Sequence, residues 1–353
     1  MKSDVYFAKV DSVGIDDRVK ALKKIMKEAD FSAEFKKDEI VPIKLTIGDS
    51  ACVYNVAPEL VKWVVLEIKN KSAKPFLFDT SVIYQGQRQN AVDHLNLAQS
   101  KGFGATKVGA PFIIADGVFG RDGHELNIDS DWVNKIKVPS FVGMLDSLVV
   151  LSHVTGHIVS GYAGAIKNVA MGMSCRATKQ VQHSTLKPSV ITKKCTACGC
   201  CIAICPVKAI AFKEKKALID QNICVGCGEC ICACKFDAIF INWHEDPKVF
   251  SKRMAEVAQA MLSRFKNKFF INFALEITKE CDCISNKDEL MVAANLGILA
   301  SRDPLAVDKA CADLAMQNKK TNYLKEAADT YEDCFQFAHQ KGLGNLEYNL
   351  IEL

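Results

Sequence analysis

The sequence predicts an α/β fold: a discontinuous α/β domain, a mostly parallel sheet flanked by helices, interrupted by a small α+β insertion. Three observations predict it. Short apolar strands alternate with amphipathic helices on both sides of a cysteine-rich block. Polar residues follow directly on several of those strands, where the ligand site of a parallel sheet lies. The block itself, residues 195–241, repeats at a shift of 29 positions and is too short to be more than an appendage to a chain of 353 residues. We divide the chain at residues 1–187, 188–245 and 246–353, the outer segments forming one α/β domain and the middle one the insertion.

Residues 5–10 read as the first strand. Residues 16–35 have helical periodicity, with Val19, Leu22, Ile25 and Met26 on one face. A strand over 40–47 breaks at Gly48-Asp49-Ser50, and Pro58 suits the first turn of a helix carrying Leu60, Val61, Val64, Val65 and Ile68. The strand 76–78 ends on Asp79, and a helix over 87–101 stops at Gly102. Strands 112–115 and 148–151 end at Asp116-Gly117 and Ser152-His153. If these strands run parallel, Asp79, Asp116 and His153 converge on one edge. After the block come a helix over 248–266, strands over 269–275 and 297–300, a helix capped by Asp303 and opened by Pro304, and a last helix over 321–340.

With 49% hydrophobic residues the chain builds a large core, and a net charge of +4 gives no sign of a nucleic-acid surface. The stretch 148–166 has no Lys, Arg, Asp or Glu, but its histidines, serines and glycines fit a buried strand and polar loop better than a membrane span. The first residues lack the apolar core of a signal peptide. Sixteen cysteines then argue for a reducing, cytoplasmic setting.

Within the block, C-x-x-C-x-x-C-x-x-x-C occurs twice: Cys195, Cys198, Cys201 and Cys205, then Cys224, Cys227, Cys230 and Cys234. Three cysteines spaced by two residues wrap one cubane in a tight loop, and the fourth, three residues on, has turned towards the other. Zinc sites usually take two separated pairs, and disulfides need an oxidising compartment, so both fit this spacing less well. The run resembles that of bacterial two-cluster ferredoxins. The resemblance implies an inserted ferredoxin-like domain with two [4Fe–4S] clusters, one on Cys195, Cys198, Cys201 and Cys234, the other on Cys224, Cys227, Cys230 and Cys205. Pro206 follows Cys205 as that pattern expects, whereas Lys235 replaces the second proline. Cys200 and Cys232 are surplus, passive thiols or substitute ligands.

Outside the block three stretches carry chemistry: D-T-S-V-I-Y-Q-G-Q-R at 79–88; S-H-V-T-G-H at 152–157 with G-A-I-K-N at 164–168 and His183 beyond; and Cys281-Asp282-Cys283. Asp79, Tyr84 and Arg88 suit a carboxylate or phosphate, or Asp79 and Arg88 form a structural ion pair. His153 and His157 are either metal ligands or acid–base partners, or a buried hydrogen-bonded pair. The glycines beside Lys167 and Asn168 make turns, or a cradle of N–H groups for an anion. Cys281 and Cys283 chelate a soft metal, with His183, His153 or His157 completing the site, or act as a redox pair, or are inert. Cys52, Cys175, Cys311 and Cys334 read as packing.

Together these stretches resemble the family catalogued as domain of unknown function 362, in which Asp-Thr-x-x-x-Tyr-x-Gly-x-Arg, His-x-x-Gly-His, Gly-Ala-x-Lys-Asn and Cys-Asp-Cys recur and many members carry an inserted two-cluster ferredoxin module. The resemblance implies little chemistry, because the family's reaction is largely undefined. The expected function is an iron–sulfur oxidoreductase that relays electrons from a soluble redox partner to an unknown small-molecule substrate. Its pocket is drawn from Asp79, Arg88, Asp116, His153, His157, Lys167, Asn168, His183, Cys281 and Cys283, with a further metal ion on Cys281, Cys283 and His183 as an option. The other readings are a non-enzymatic electron-transfer or docking subunit, or metal or sulfur handling through Cys281 and Cys283.

Overall fold

The computed structural model describes residues 2–84, 86–183, 187–224, 226–241, 246–283, 291–317 and 328–353. Its centre is an eight-stranded sheet in the order Tyr348–Glu352, Ser3–Lys9, Gly297–Ser301, Asn267–Ala274, Ser147–His153, Ile40–Lys44, Lys74–Asp79, Phe112–Ile114. The five strands from Asn267–Ala274 to Phe112–Ile114 are mutually parallel, and Gly297–Ser301 pairs antiparallel with both of its neighbours. The sheet is therefore mostly parallel and flanked by helices. Its strands come from before and after the cysteine-rich block: Ser147–His153 pairs along its whole length with Asn267–Ala274.

Strand alternation builds two cores from one sheet. Leu148 and Val150 face one apolar layer with Phe270 and Leu299, covered by the helices Ala165–Ala170, Pro247–Leu262 and Pro304–Gln317. Val149 and Leu151 face the other with Ile43, Leu77 and Ile271, covered by Ile15–Glu28 and Pro58–Asn70. Because both faces are covered, the strands carry the near-continuous apolar runs expected of a buried parallel sheet.

Several elements are shorter than periodicity alone suggests, each for a local reason. The helix expected over 87–101 begins at Ala91, because Asn90 is extended and its side chain accepts from the Asp93 N–H at 3.0 Å. The helix expected over 16–35 is Ile15–Glu28, and Asp30 turns the chain at φ 48°. Asp246 caps Pro247–Leu262 by accepting from the Lys248 N–H. Of the last helix, Ala328–Gln340 is seen, and its expected start falls outside the described residues.

The cysteine-rich block folds as two short helices, Cys200–Ile204 and Glu229–Ala233, with two small antiparallel pairings, Ile210–Lys213 with Lys216–Ile219 and Ser189–Val190 with Ile239–Phe240. The repeat is written in the backbone. Ala197 and Gly226, Gly199 and Gly228, and Lys208 and Asp237 are each 29 apart, and all six have positive φ. The block is clasped to the sheet domain by Glu229, whose buried carboxylate receives Arg176 at 2.8 Å and Arg121 at 3.0 Å. No helix among the described residues is long and apolar enough to cross a membrane.

Candidate functional site

A pocket of about 850 Å³ opens at the carboxyl ends of Ile40–Lys44, Lys74–Asp79 and Ser147–His153. Its wall holds Asp79, Arg88, His153, His157, Lys167, Asn168, His183, Cys281 and Cys283, and not Asp116. Asp116 is buried beside the pocket, where its carboxylate accepts from the Ser81 N–H at 2.9 Å and the Ser81 hydroxyl at 3.2 Å. It holds the loop after Lys74–Asp79 in place, so we correct its assignment to the pocket.

The floor is an ion pair that sequence reasoning missed. Lys44, fully buried, meets the Asp79 carboxylate at 3.0 Å and donates to the Leu45 carbonyl at 2.8 Å and Asn168 Oδ1 at 2.9 Å. Burial works to protonate the Asp79 carboxyl, but Lys44 above all, with Arg88 and Lys179, holds it below its ordinary value. Burial likewise drives Lys44 down, opposed by Asp79. A side chain at Gly172 would collide with Lys44, so this glycine serves close approach rather than a turn. Asn168 also donates to the Leu151 carbonyl at 2.9 Å and Ser152 Oγ at 3.1 Å. Its amide is thereby engaged on both sides, as a bracket for Lys44 rather than a group free to meet substrate.

Arg88 lies 4.0 Å from Asp79 and nearer to Asp49, at 3.5 Å. Its guanidinium donates to Thr46 Oγ1 at 3.2 Å, the Tyr84 hydroxyl at 2.6 Å and the Asp282 carbonyl at 3.3 Å. The second missed cation, Lys179, donates to Thr80 Oγ1, to the Ser81 carbonyl at 2.7 Å and to the Ser174 carbonyl at 2.9 Å. Lys167 differs from these. Among the described residues its ammonium makes no hydrogen bond, and burial, helped by Arg88 and Lys44 and opposed by Asp282, pushes it down to about 8.

The two histidines four residues apart are not on a helix. His153 ends its strand, and His157 ends the short strand Thr155–His157, which pairs with Gly161–Ala163. His153 Nδ1 faces Asp282 Oδ1 at 2.8 Å and Nε2 faces the Leu275 carbonyl at 2.9 Å. Both partners are acceptors, so both nitrogens carry protons. Burial opposes that charge, yet Asp282 raises the imidazole above its ordinary value. His153 is a clamp for the Cys281–Cys283 loop, and neither nitrogen has a lone pair for a metal or a base.

His157 is the converse. Its Nδ1 accepts the backbone N–H groups of Ser160 at 2.9 Å and Val159 at 3.2 Å. Burial, then Lys167 and His183, hold its ring well below its ordinary value. The ring is neutral, and its one proton sits on Nε2. Cys281 and Cys283 are joined as a disulfide, and their sulfurs and a ring nitrogen of His157 lie within 4.8 Å of one another. His183 lines the same pocket, its ring 5.0 Å from that of Phe250, but it is not in that group. The pairing of Gly156 with the Thr278 carbonyl is what brings His157, rather than His183, beside the cysteines.

In the block, Cys195, Cys198, Cys201 and Cys234 line one small cavity, and Cys205, Cys224, Cys227 and Cys230 line another. None of the eight forms a disulfide among the described residues. Each cavity crosses the repeat, taking three cysteines from one copy and the fourth from the other. Among the described residues no histidine or aspartate lines either, and Glu229, on the second, is committed to its two arginines. Backbone N–H groups of Ala217, Ala209, Gly226 and Ala238 point at the sulfurs of Cys195, Cys205, Cys224 and Cys234 at 3.2 to 3.5 Å. This all-sulfur donor set with N–H groups on its thiolates fits iron–sulfur clusters. Lys235 in place of proline changes nothing locally, since Cys205 and Cys234 are both extended, at φ −68°, ψ 114° and φ −83°, ψ 101°. Cys200 and Cys232 line neither cavity, and Cys232 instead approaches the Val82 carbonyl at 3.8 Å.

Val82, Ile83 and Tyr84 belong to both regions. They line the pocket, and Ile83 and Tyr84 belong to one apolar cluster with Cys195, Cys201, Cys230 and Cys234 of the two cavities.

A family model described as domain of unknown function (DUF362) matches residues 41–313. No curated protein matches the chain. Among solved structures it is similar to the lactate racemase apoprotein of Thermoanaerobacterium thermosaccharolyticum, at 11% identity and a TM-score of 0.42 over 78% of this chain. It is also similar to a protein of Thermotoga maritima, at 10% identity and a TM-score of 0.46 over 94% of this chain. The alignments span 51% and 60% of the length of those two proteins.

Proposed function

The chain belongs to the DUF362 family, and we propose that it is an iron–sulfur oxidoreductase whose inserted ferredoxin-like domain serves the pocket on the sheet. The observation that carries this reading is that Ile83 and Tyr84 line the pocket and belong to one apolar cluster with Cys195, Cys201, Cys230 and Cys234 of the two four-thiol cavities. Cys195, Cys198, Cys201 and Cys234 would hold one [4Fe–4S] cluster, and Cys224, Cys227, Cys230 and Cys205 the other. Bound there, such clusters supply one-electron transfer over a potential range set by charge, hydrogen bonding and exposure.

The protein's own groups bind and orient the substrate. Lys44, Arg88, Lys167, Lys179 and the protonated His153 give the wall five cationic groups against the two carboxylates Asp79 and Asp282. That excess suits a small organic anion, with apolar contacts from Ile158, Val159 and Met171. Lys167 is the cation left over to meet it, because the others are spent on protein partners. Asp282 Oδ2, buried without a hydrogen-bond partner among the described residues, offers an acceptor for a ligand N–H or O–H.

The electron donor or acceptor is a soluble protein that docks around the exposed Cys198. There Phe212 and Phe236 are about half exposed beside the first cavity, and Lys193, Lys194, Lys208, Lys213, Lys215 and Lys235 are exposed on the same block. Apolar rings ringed by lysines match an acidic carrier. The same surface supports the second reading, a docking or electron-transfer subunit without an activity of its own. The setting that goes with either reading is a reducing cytoplasm.

Iron and acid-labile sulfide in anaerobically purified protein test the proposal. About eight of each per chain are expected, and Cys198→Ala or Cys227→Ala should each remove one cluster's signal in reduced-state electron paramagnetic resonance. Stoichiometric zinc with four iron atoms or fewer after reconstitution overturns it.

A further inference from the structure

We propose that Cys281 and Cys283 form a redox-active dithiol–disulfide centre open to the pocket, and not a third metal site. The inference deepens the oxidoreductase reading, and rests on it for the role of the pocket alone. Its first support is the pair itself, bonded to each other on the wall of a pocket wide enough to admit small molecules. Its second is the loop that presents them. The Asp282 carbonyl receives the Asp49 N–H at 3.1 Å and Arg88 at 3.3 Å, and its carboxylate is gripped by His153. Both sulfurs are therefore held in one place whether or not the bond between them is made.

The third support is the state of the histidines. A thiolate pair needs further ligands to close a metal site, usually imidazole lone pairs. Among the described residues His157 is the histidine grouped with both sulfurs, and its Nδ1 lone pair is taken by the backbone N–H groups of Val159 and Ser160, with the Ser160 hydroxyl at 2.9 Å. Its Nε2 then carries the proton and has no lone pair to give. His153 has none on either nitrogen. What His157 does offer is an N–H donor, the group that stabilises a thiolate.

Exposure separates the roles of the two sulfurs. Cys281 is buried, at 4%, and Cys283 is half-buried. An incoming small thiolate attacks Cys283 Sγ, the S–S bond breaks, and the electron pair leaves on Cys281, beside the His157 N–H. The released Cys281 thiolate takes a proton from solvent in the pocket. A second thiol then displaces Cys283, so that two electrons and two protons have been gained by the pair and the reagent has become a disulfide.

The probe is dithiothreitol, in anaerobic buffers of graded reduced-to-oxidised ratio, followed by iodoacetamide and mass analysis of the peptide spanning 281–283. The expected result is no label on this peptide in the oxidised buffers and two labels in the reduced ones, along one two-electron transition. In the reduced protein Cys283 should be alkylated first, and His157→Phe should slow alkylation of Cys281 at neutral pH about tenfold. Two labels at every ratio, or labelling that appears only after a chelator strips a metal, overturns the proposal. Cys198→Ser distinguishes this failure from that of the cluster reading. Iron falls by about half while the 281–283 transition persists, and a transition lost together with the iron refutes the independent centre.

Discussion

Replacing Lys44 by Met tests whether the pocket floor is an energetic keystone. At 3.0 Å and an effective dielectric of 20, the attraction between Lys44 and Asp79 is about 5 kcal/mol before desolvation. Lys44→Met also strips hydrogen bonds from the Leu45 carbonyl and Asn168 Oδ1, at about 1 kcal/mol each. What remains near the Asp79 carboxylate is the Thr80 N–H at 2.9 Å, Arg88 at 4.0 Å and His94 at 3.7 Å, and burial drives the His94 ring down to about 3, so it stays neutral. One charge at the limit of pairing distance does not replace one in contact. The expected loss is about 3–5 kcal/mol, the range for stranding one partner of a buried pair.

The assay is equilibrium urea unfolding of anaerobic protein, with the double variant Lys44→Met/Asp79→Leu as the control. Removing both charges abolishes the desolvation cost of both, so the double variant should regain about half of the loss. Full recovery is not expected, because Arg88 then loses one of its nearby carboxylates and keeps Asp49 at 3.5 Å. A single variant within about 1 kcal/mol of wild type would refute the claim that the pair holds the pocket floor, and a double variant worse than the sum of both singles would refute the pairing itself.

Glu229→Gln should loosen the cysteine block on the sheet domain, because Arg176 and Arg121 lose their shared buried carboxylate; hydrogen exchange should quicken about tenfold or more over 187–241 while Ser147–His153 stays protected. Lys167 sets a pH window: its ammonium titrates at about 8 in the folded protein against 10.5 ordinarily, so the unfolded chain holds more protons between those values. Folding stability therefore rises with pH across that window, while affinity for an anionic probe such as citrate falls about tenfold from pH 7 to pH 9. Lys167→Met should remove that step, and an unchanged pH profile in the variant would assign the step elsewhere.

The parallel sheet was legible because both faces are buried and the strands are apolar throughout, and Asp79 and His153 were legible as neighbours on the pocket wall because parallel strands end on one edge. Asp116 obeys the same strand-end pattern but serves the neighbouring loop, which sequence order cannot reveal. Lys44 was missed for a related reason. In the structure it ends the strand Ile40–Lys44, but the sequence reads as a strand over 40–47 with Lys44 inside it, and its partner stands 35 positions away on the adjacent strand. Lys179 lies on the polar helix Arg176–His183, which has no apolar stripe to say which face is inside. The histidine roles were illegible in principle. His153 and His157 differ not in spacing but in what surrounds them, two acceptors for one and two backbone donors for the other.

The loop 80–84 is the element on which the pocket and the cysteine block depend together. Its pocket side is fixed by Thr80, which donates to the Gly172 carbonyl at 2.9 Å, and by Ser81, held by Asp116 and Lys179. Its far side is fixed by the Val82 carbonyl, which receives Arg176 Nε at 3.2 Å and faces Cys232 at 3.8 Å. Arg176 is the same side chain that grips Glu229, so one guanidinium ties the loop to the block. Tyr84 closes the arrangement through Arg88 to the Asp282 carbonyl, in the loop of the Cys281–Cys283 pair. A displacement of the block is thus felt at the pocket through rigid hydrogen bonds rather than through a linker. That is why Cys232, which lies outside both cavities, is better understood as a contact of this loop than as a spare ligand.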